Sequence, residues 1–285
     1  MADHPVFDSP VLTLHKEAEV ATVWLDRPEA RNAMGQDLWR DLPRVMRVVG
    51  DDPSVRAVVI AARGPHFSVG LDLKEMGGVL SGGAGTDASG GRPPSMAARA
   101  RAGRGEVLRL QDAITAVEKC PKPVIAAVHG YCIGGGVDLI AACDIRLASA
   151  DAVFSVREAK VAIVADLGSL QRLPRIIGAG HVAELAFTGK DIDAHRAREI
   201  GLVNDVAADA DGVLKAALEL AREIAANSPI AVQGTKAVLA ANDGRTVAEG
   251  LEYVATWNAG MLASDDLVEA MMAFLEKRPP KFTGR

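Results

Sequence analysis

HGYCIGGGVDLIAACDIRLAS, residues 129–149 of a 285-residue chain, carries the pattern that decides the fold. The apolar run just before it, 123–128 (PVIAAV), has the length and composition of a buried strand. Residues 135–143 switch to helical spacing, and 145–148 return to strand. Gly134, Gly135 and Gly136 fall where that helix starts. Backbone N–H groups at a helix start have no intrahelical partner, and glycine has no Cβ to hold a ligand away. Such groups can stabilise negative charge. The same three glycines could instead serve a tight turn or close packing.

The same region holds three acids in apolar surroundings: Asp138, Glu158 and Asp166, the last two within VFSVREAKVAIVADLGSLQRLP. Burying a carboxylate is costly unless it is paired, hydrogen-bonded or neutralised. All three are therefore candidates for proton transfer. Each also has a structural alternative. Asp138 suits the first turn of a helix. Glu158 could pair with Arg157 or Lys160 at the surface. Asp166 could cap a helix starting near Gly168.

Outward from this centre, strands alternate with helices. VLTLHKEAEVATVWLD reads as a hairpin with a polar turn near 16–19, ended by Arg27-Pro28. Residues 36–49 have helical spacing despite Pro43, and 57–61 (AVVIA) form a buried strand. The stretch 77–105, rich in Gly, Ser, Ala and Arg, reads as a mobile loop, with a short helical stretch around 96–102. Residues 106–120 are an amphipathic helix. The pattern is a repeated β-β-α arrangement that turns nearly all-helical after Leu167. Asn227-Ser228-Pro229 breaks a helix and opens the next, and 245–262 and 265–276 end the chain as helices. The expected class is α/β, with a core over 1–205 containing the 77–105 loop and a C-terminal helical, oligomerising subdomain over 206–285.

Composition sets limits. Hydrophobic residues make 49% of the chain and charged residues 24%, enough for a sizeable core. Aromatics are only 4%, so small aliphatics build that core. A formal charge of −5 gives no reason to expect nucleic-acid binding. Cys120, Cys132 and Cys143 lack CxxC spacing and read as buried free thiols in a reducing compartment, with the cytoplasm the expected location. No signal peptide, peroxisomal tail or membrane span is expected. No histidine or cysteine cluster has metal-ligand spacing, and no strand is followed by GxGxxG.

Two segments carry a resemblance. HFSVGLDLKEM (66–76) and the 129–149 stretch resemble the two oxyanion segments of the crotonase, or enoyl-CoA hydratase/isomerase, superfamily. The likeness runs from about Leu12 through Arg278. Within the superfamily it is nearest to the Δ3,5-Δ2,4-dienoyl-CoA isomerases. GGGVDLIAACDIR, VREAKVAIVADLGSLQRLP (156–174) and SPIAVQGTKAVL (228–239) with EYVATWNAGML (252–262) carry that likeness. In the second stretch, hydratases usually have Pro-Gly where this chain has Ala165-Asp166.

The resemblance implies a crotonase-like spiral of β-β-α units and an acyl-CoA substrate in fatty-acid β-oxidation. It implies an oxyanion hole made by the N–H groups of Leu71 and Gly135, and no redox cofactor or metal, coenzyme A being part of the substrate. Isomerising a 3,5-dienoyl thioester to the 2,4 form moves a proton from C2 to C6 through a dienolate. Two carboxylates at opposite ends of the diene suit this. Asp166 is expected as the base at C2 and Glu158 as the acid at C6, the pairing being firmer than the direction, with Asp138 in support. The alternative is hydration of a 2-enoyl-CoA. Resembling hydratases hold a water between glutamates at the positions of Asp138 and Glu158. Here the first is one methylene shorter, and Asp166 has no role in that reaction. A binding protein on this fold is a third reading, disfavoured by the acidic charge and the lack of a basic stripe.

Arg27, Arg31, Lys74, Lys277 and Lys281 are the candidates for the CoA phosphates, the last two in a tail that the family places near CoA, often from a neighbouring subunit. The family's assembly implies a homotrimer or homohexamer. His66, Asp72 and Asp144 are read as structural.

Overall fold

The strand β3 (Ala57–Ala62) is buried along its whole length. Its side chains divide by alternation. Val58, Ile60 and Ala62 enter the main core, while Ala57, Val59 and Ala61 enter a second core on the other face. A strand covered on both faces belongs at the centre of a largely parallel sheet. The computed structural model, which describes residues 7–80 and 95–285, shows that sheet. β1 (Leu12–Glu17) and β2 (Val20–Leu25) form the expected hairpin, and β2 runs parallel to β3. β4 (Val124–Val128), β6 (Ile145–Ser149) and β9 (Asp205–Ala207) complete the order β1-β2-β3-β4-β6-β9.

A smaller sheet, β5 (Tyr131–Ile133), β7 (Val153–Ser155) and β8 (Ile192–Asp193), stands beside it. The β-β-α repeat is visible in how the chain feeds both sheets. β4 enters the large sheet, β5 the small one, and α4 (Gly135–Ala141) follows. β6 and β7 repeat the step and end in a 3-10 turn, Glu158–Val161.

Helices α1 (Gln36–Asp51), α2 (Leu73–Leu80) and α3 (Met96–Glu118) precede β4 and α4. After the 3-10 turn come α5 (Ser169–Ile176), α6 (Ala179–Thr188) and α7 (Ala194–Glu199). α8 (Ala210–Ala225) follows β9, and α9 (Pro229–Ala241), α10 (Val247–Met261) and α11 (Asp265–Glu276) close the chain. Val213, Ala217, Ala221 and Ala225 repeat every fourth residue on α8 and cover the sheet face opposite α1 and α3. Helix α8, although beyond residue 205, is thus part of the sandwich. The last three helices start on side-chain caps from Ser228, Thr246 and Ser264, and Pro229 opens α9 as expected.

Two expectations need correction. The 77–105 stretch is not a loop where it is described. Residues 77–80 end α2, and 96–105 are helical and continuous with the segment expected from 106, giving one 23-residue helix. Ser95 caps it, its hydroxyl accepting from the Ala98 N–H at 3.2 Å, and the Ala/Arg-rich start favours helix. Residues 81–94 lie outside the described residues. The part after Leu167 also contains strands, β8 and β9, of two and three residues. They are too short to leave a period-two signal and exist through their pairing partners.

Candidate active site

Two loops at the ends of β3 and β4 are stitched together by backbone hydrogen bonds. Phe67 N–H donates to His129 O at 2.9 Å, Ser68 N–H to Tyr131 O at 2.9 Å, and Ile133 N–H to Ser68 O at 3.0 Å. Gly70 must be glycine: its φ is +86°, and a Cβ would lie 2.7 Å from Ile133 O. Met34 N–H donates to Gly70 O and Asp72 N–H to Met34 O, which turns the Leu71 N–H away from the ladder. Gly134 holds φ +52° and lets α4 start with Gly135. The Leu71 and Gly135 N–H groups thus become neighbours. A Cβ built on Gly135 would lie 3.9 Å from Leu71 N and 2.9 Å from Met34 Sδ. Among the described residues, neither N–H has an acceptor.

Both groups line a cavity of about 690 Å³, and so do Asp138, Glu158 and Asp166. Asp138, on α4, is 1% exposed. Its Oδ1 accepts the Ser169 N–H at 2.6 Å. It therefore supplies the cap of α5, whose N-cap residue Gly168 offers no side chain. Burial, and next the charge of Glu158, push its pKa up to about 7. Glu158 opens the 3-10 turn and lies beside Gly134, where a Cβ would come within 3.1 Å of its Oε1. Its Oε2 is buried without a hydrogen-bond partner among the described residues. Burial, and then the charge of Asp166, raise its pKa. Burial raises that of Asp166 as well.

The structural alternatives for Glu158 and Asp166 are not formed, whereas Asp138 does sit in the first turn of α4. Arg157 pairs with Asp191, not Glu158. Lys160 lies against Gly189. Asp166 is fixed through its main chain, its carbonyl accepting from Gln111 Nε2 of α3 at 2.6 Å. Its carboxyl is left to the cavity.

The cationic candidates separate. Arg31 lines the cavity and is exposed. Arg27 is already committed, with Nη1 2.9 Å from Asp72 Oδ2 and Nη2 3.0 Å from Glu75 Oε1. Lys74 sits on the first turn of α2, and its side chain does not line the cavity. Lys277 caps the end of α11 and Lys281 lies in the tail, neither of them on the cavity wall.

Asp72 braces the loop, accepting from the Lys74 and Glu75 N–H groups at the start of α2. Asp144 ties β4 to α9, accepting from Val124 N–H at 2.7 Å and Lys236 Nζ at 2.6 Å. His66 stacks on Tyr131 at 4.5 Å and accepts from its N–H. The three cysteines are buried and free. Among the described residues no group of acids, histidines and cysteines could hold a metal ion.

Three supporting residues were not legible. Ser169 and Gln111 hold catalytic candidates through single hydrogen bonds that leave no periodic trace. Asn32, 2% exposed, joins its own turn to the loop after β3 by donating to Arg63 O and His66 O and accepting from Arg27 N–H. It sits in DRPEARNAM, and its φ of +54° suits asparagine.

Comparison with known proteins agrees with this architecture. The profile of the enoyl-CoA hydratase/isomerase family matches residues 15–285. A protein of Arabidopsis thaliana named peroxisomal Delta(3,5)-Delta(2,4)-dienoyl-CoA isomerase is 41% identical over 272 residues, covering 95% of each chain. The human protein named as the mitochondrial form is 44% identical over 93% of this chain and 79% of its own. The crystal structure of a putative enoyl-CoA hydratase from Streptomyces coelicolor A3(2) superposes with a TM-score of 0.85 at 32% identity, covering 100% of this chain and 98% of that one. With a crotonase fold and a sequence match along nearly its whole length, the chain belongs to the enoyl-CoA hydratase/isomerase family.

Proposed function

We propose that the protein is a dienoyl-CoA isomerase, moving the double bonds of a 3,5-dienoyl-CoA to the 2,4 positions in fatty-acid β-oxidation. One observation carries this reading: a third carboxyl, Asp166, shares the cavity with Glu158, Asp138 and the Leu71–Gly135 N–H pair. A hydratase has no use for it.

In the reaction the thioester oxygen takes both N–H bonds, which strengthen as negative charge builds there. Removal of a C2 proton gives a dienolate, and protonation at C6 completes the shift. The base must stand next to the carbon bonded to the thioester carbonyl. Glu158 does, because its Oε1 lies beside Gly134, one residue from the oxyanion donor. Asp166 lies toward α3, along the acyl direction. This favours Glu158 as the C2 base and Asp166, whose pKa burial raises, as the C6 acid, the reverse of the direction expected from sequence. The Glu158 Oε1 beside Gly134 would take the proton. Asp138 keeps the cluster from ionising fully, since three close carboxylates cannot all carry charge in a dry site.

No redox cofactor or metal enters this chemistry, and coenzyme A arrives with the substrate. Arg31, exposed on the cavity wall, would meet a CoA phosphate. Lys277 and Lys281 would do so from a neighbouring copy. Exposed apolar side chains on α10 and α11, such as Leu251, Val268, Met271 and Phe274, supply the surface for a homotrimer or homohexamer. The location is proposed as cytoplasmic, on the free thiols. The two relatives' names say peroxisomal and mitochondrial, and imaging of the tagged protein decides. Among the described residues no helix is long and apolar enough to cross a membrane.

The test is ultraviolet absorbance. Purified protein should convert a 3,5-dienoyl-CoA to its conjugated 2,4 isomer faster than it hydrates a 2-enoyl-CoA. Hydration outrunning isomerisation would overturn the reading.

A further inference from the structure

Helix α3 presents Gly103, Val107 and Leu110 to the cavity. These residues are four and three apart, so they share one helix face. Exposure rises along that stripe. Leu110 is buried, Val107 half-buried and Gly103 exposed. The stripe is about 10 Å long at the helical rise. Leu73 of α2 and Val161 and Ile163 of the turn after Glu158 also line the cavity. Together these residues make an apolar wall suited to an acyl tail, and Arg31 on the same cavity suits a phosphate.

Gly103 is a poor residue for its place. Inside a helix, glycine is less stable than alanine. Its backbone is not in the left-handed region, and a Cβ added there would meet nothing within 4 Å among the described residues. Among the described residues neither backbone conformation nor packing asks for glycine. What the missing side chain leaves is open space at the outer end of the apolar wall.

We propose that Gly103 is a specificity-determining position for acyl-chain length. Its bare backbone keeps the outer end of the acyl channel open, so the site accepts chains that run past α3 as well as short ones. A large side chain at 103 would close that end. The inference rests on the acyl-CoA reading above and adds the length of chain that the site admits.

Gly105 provides the control. It is also a helical glycine with nothing within 4 Å of a built Cβ among the described residues, but it does not line the cavity. The experiment is calorimetric binding of butyryl-, octanoyl- and dodecanoyl-CoA to wild type, Gly103→Leu and Gly105→Leu. Both substitutions replace glycine by a better helix former in open space, so both variants should fold. Each methylene that finds apolar surface strengthens binding by about fourfold. Wild type should gain affinity up to dodecanoyl-CoA. Gly103→Leu should bind butyryl-CoA as wild type does and lose about tenfold or more on dodecanoyl-CoA, and Gly105→Leu should follow wild type. An unchanged length dependence in Gly103→Leu, or the same loss in Gly105→Leu, overturns the proposal and leaves the acyl-CoA reading standing. Wild type that binds none of the three esters overturns both.

Discussion

Replacing Asp138 by Asn should make the protein more stable, by an amount that grows with pH. Asp138 is 1% exposed, and its pKa stands at about 7 against an ordinary 3.8. The folded state therefore holds a proton that the unfolded chain releases near 3.8. Between those values the unfolded chain gains by ionising and the folded state does not. The destabilisation is absent below 3.8, grows through the interval, and is complete above about 7. At pH 8 it amounts to at most about 4 kcal/mol, and at pH 5 to about 1.5 kcal/mol. Asparagine keeps an oxygen that can accept the Ser169 N–H, so the cap of α5 survives the change. The assay is urea unfolding followed by tryptophan fluorescence at pH 5 and pH 8, at equal protein concentration. The variant's advantage should be clearly larger at pH 8. An advantage independent of pH, or a variant less stable than wild type at pH 8, would refute the account of a strained buried acid.

Other outcomes follow from the same geometry. Gly70→Ala combines a φ of +86° with a Cβ 2.7 Å from Ile133 O, and should cost about 1–3 kcal/mol in thermal unfolding. Gly77→Ala, whose Cβ meets nothing within 4 Å among the described residues, should cost nothing. Gly135→Ala puts a methyl group beside the Leu71 N–H and should lower kcat by about 10²-fold while acyl-CoA binding persists; unchanged kcat would remove this pair from the chemistry. Because Glu158 and Asp166 are both raised, kcat/KM should follow a bell whose two limbs lie above the ordinary 4.5 and 3.8. A rate that is flat across pH 4–9 would contradict proton transfer by this pair.

Much of the candidate site was legible because glycine and buried acid are costly residues. Gly134–Gly136 and Asp138 sit together in one apolar helix, and few structural needs explain both. The same logic reached Glu158 and Asp166. The hairpin and the central strands were legible because an all-apolar or alternating run of six residues has few other uses. Strands β8 and β9 were not, since two or three residues carry no period and depend on partners far along the chain. The first half of α3 was hidden by its glycines, which weaken a helix without forbidding it. The commitment of Arg27 to Asp72 and Glu75 was hidden too, because an ion pair spanning 45 residues in sequence leaves no local pattern. The position of Glu158 beside Gly134, on which the proposed direction of proton transfer rests, is likewise something spacing alone does not provide.

The most direct measurement is deuterium exchange at C2 of a 3,5-dienoyl-CoA in D2O, followed together with formation of the 2,4 isomer. Wild type should form the isomer with deuterium at C6. Asp166→Asn should still exchange C2 but form almost no isomer, and Glu158→Gln should do neither, with kcat for isomerisation down by about 10²–10⁴-fold in both. Full isomerisation by either variant, or C2 exchange that survives without Glu158, would contradict proton transfer between these two carboxyls.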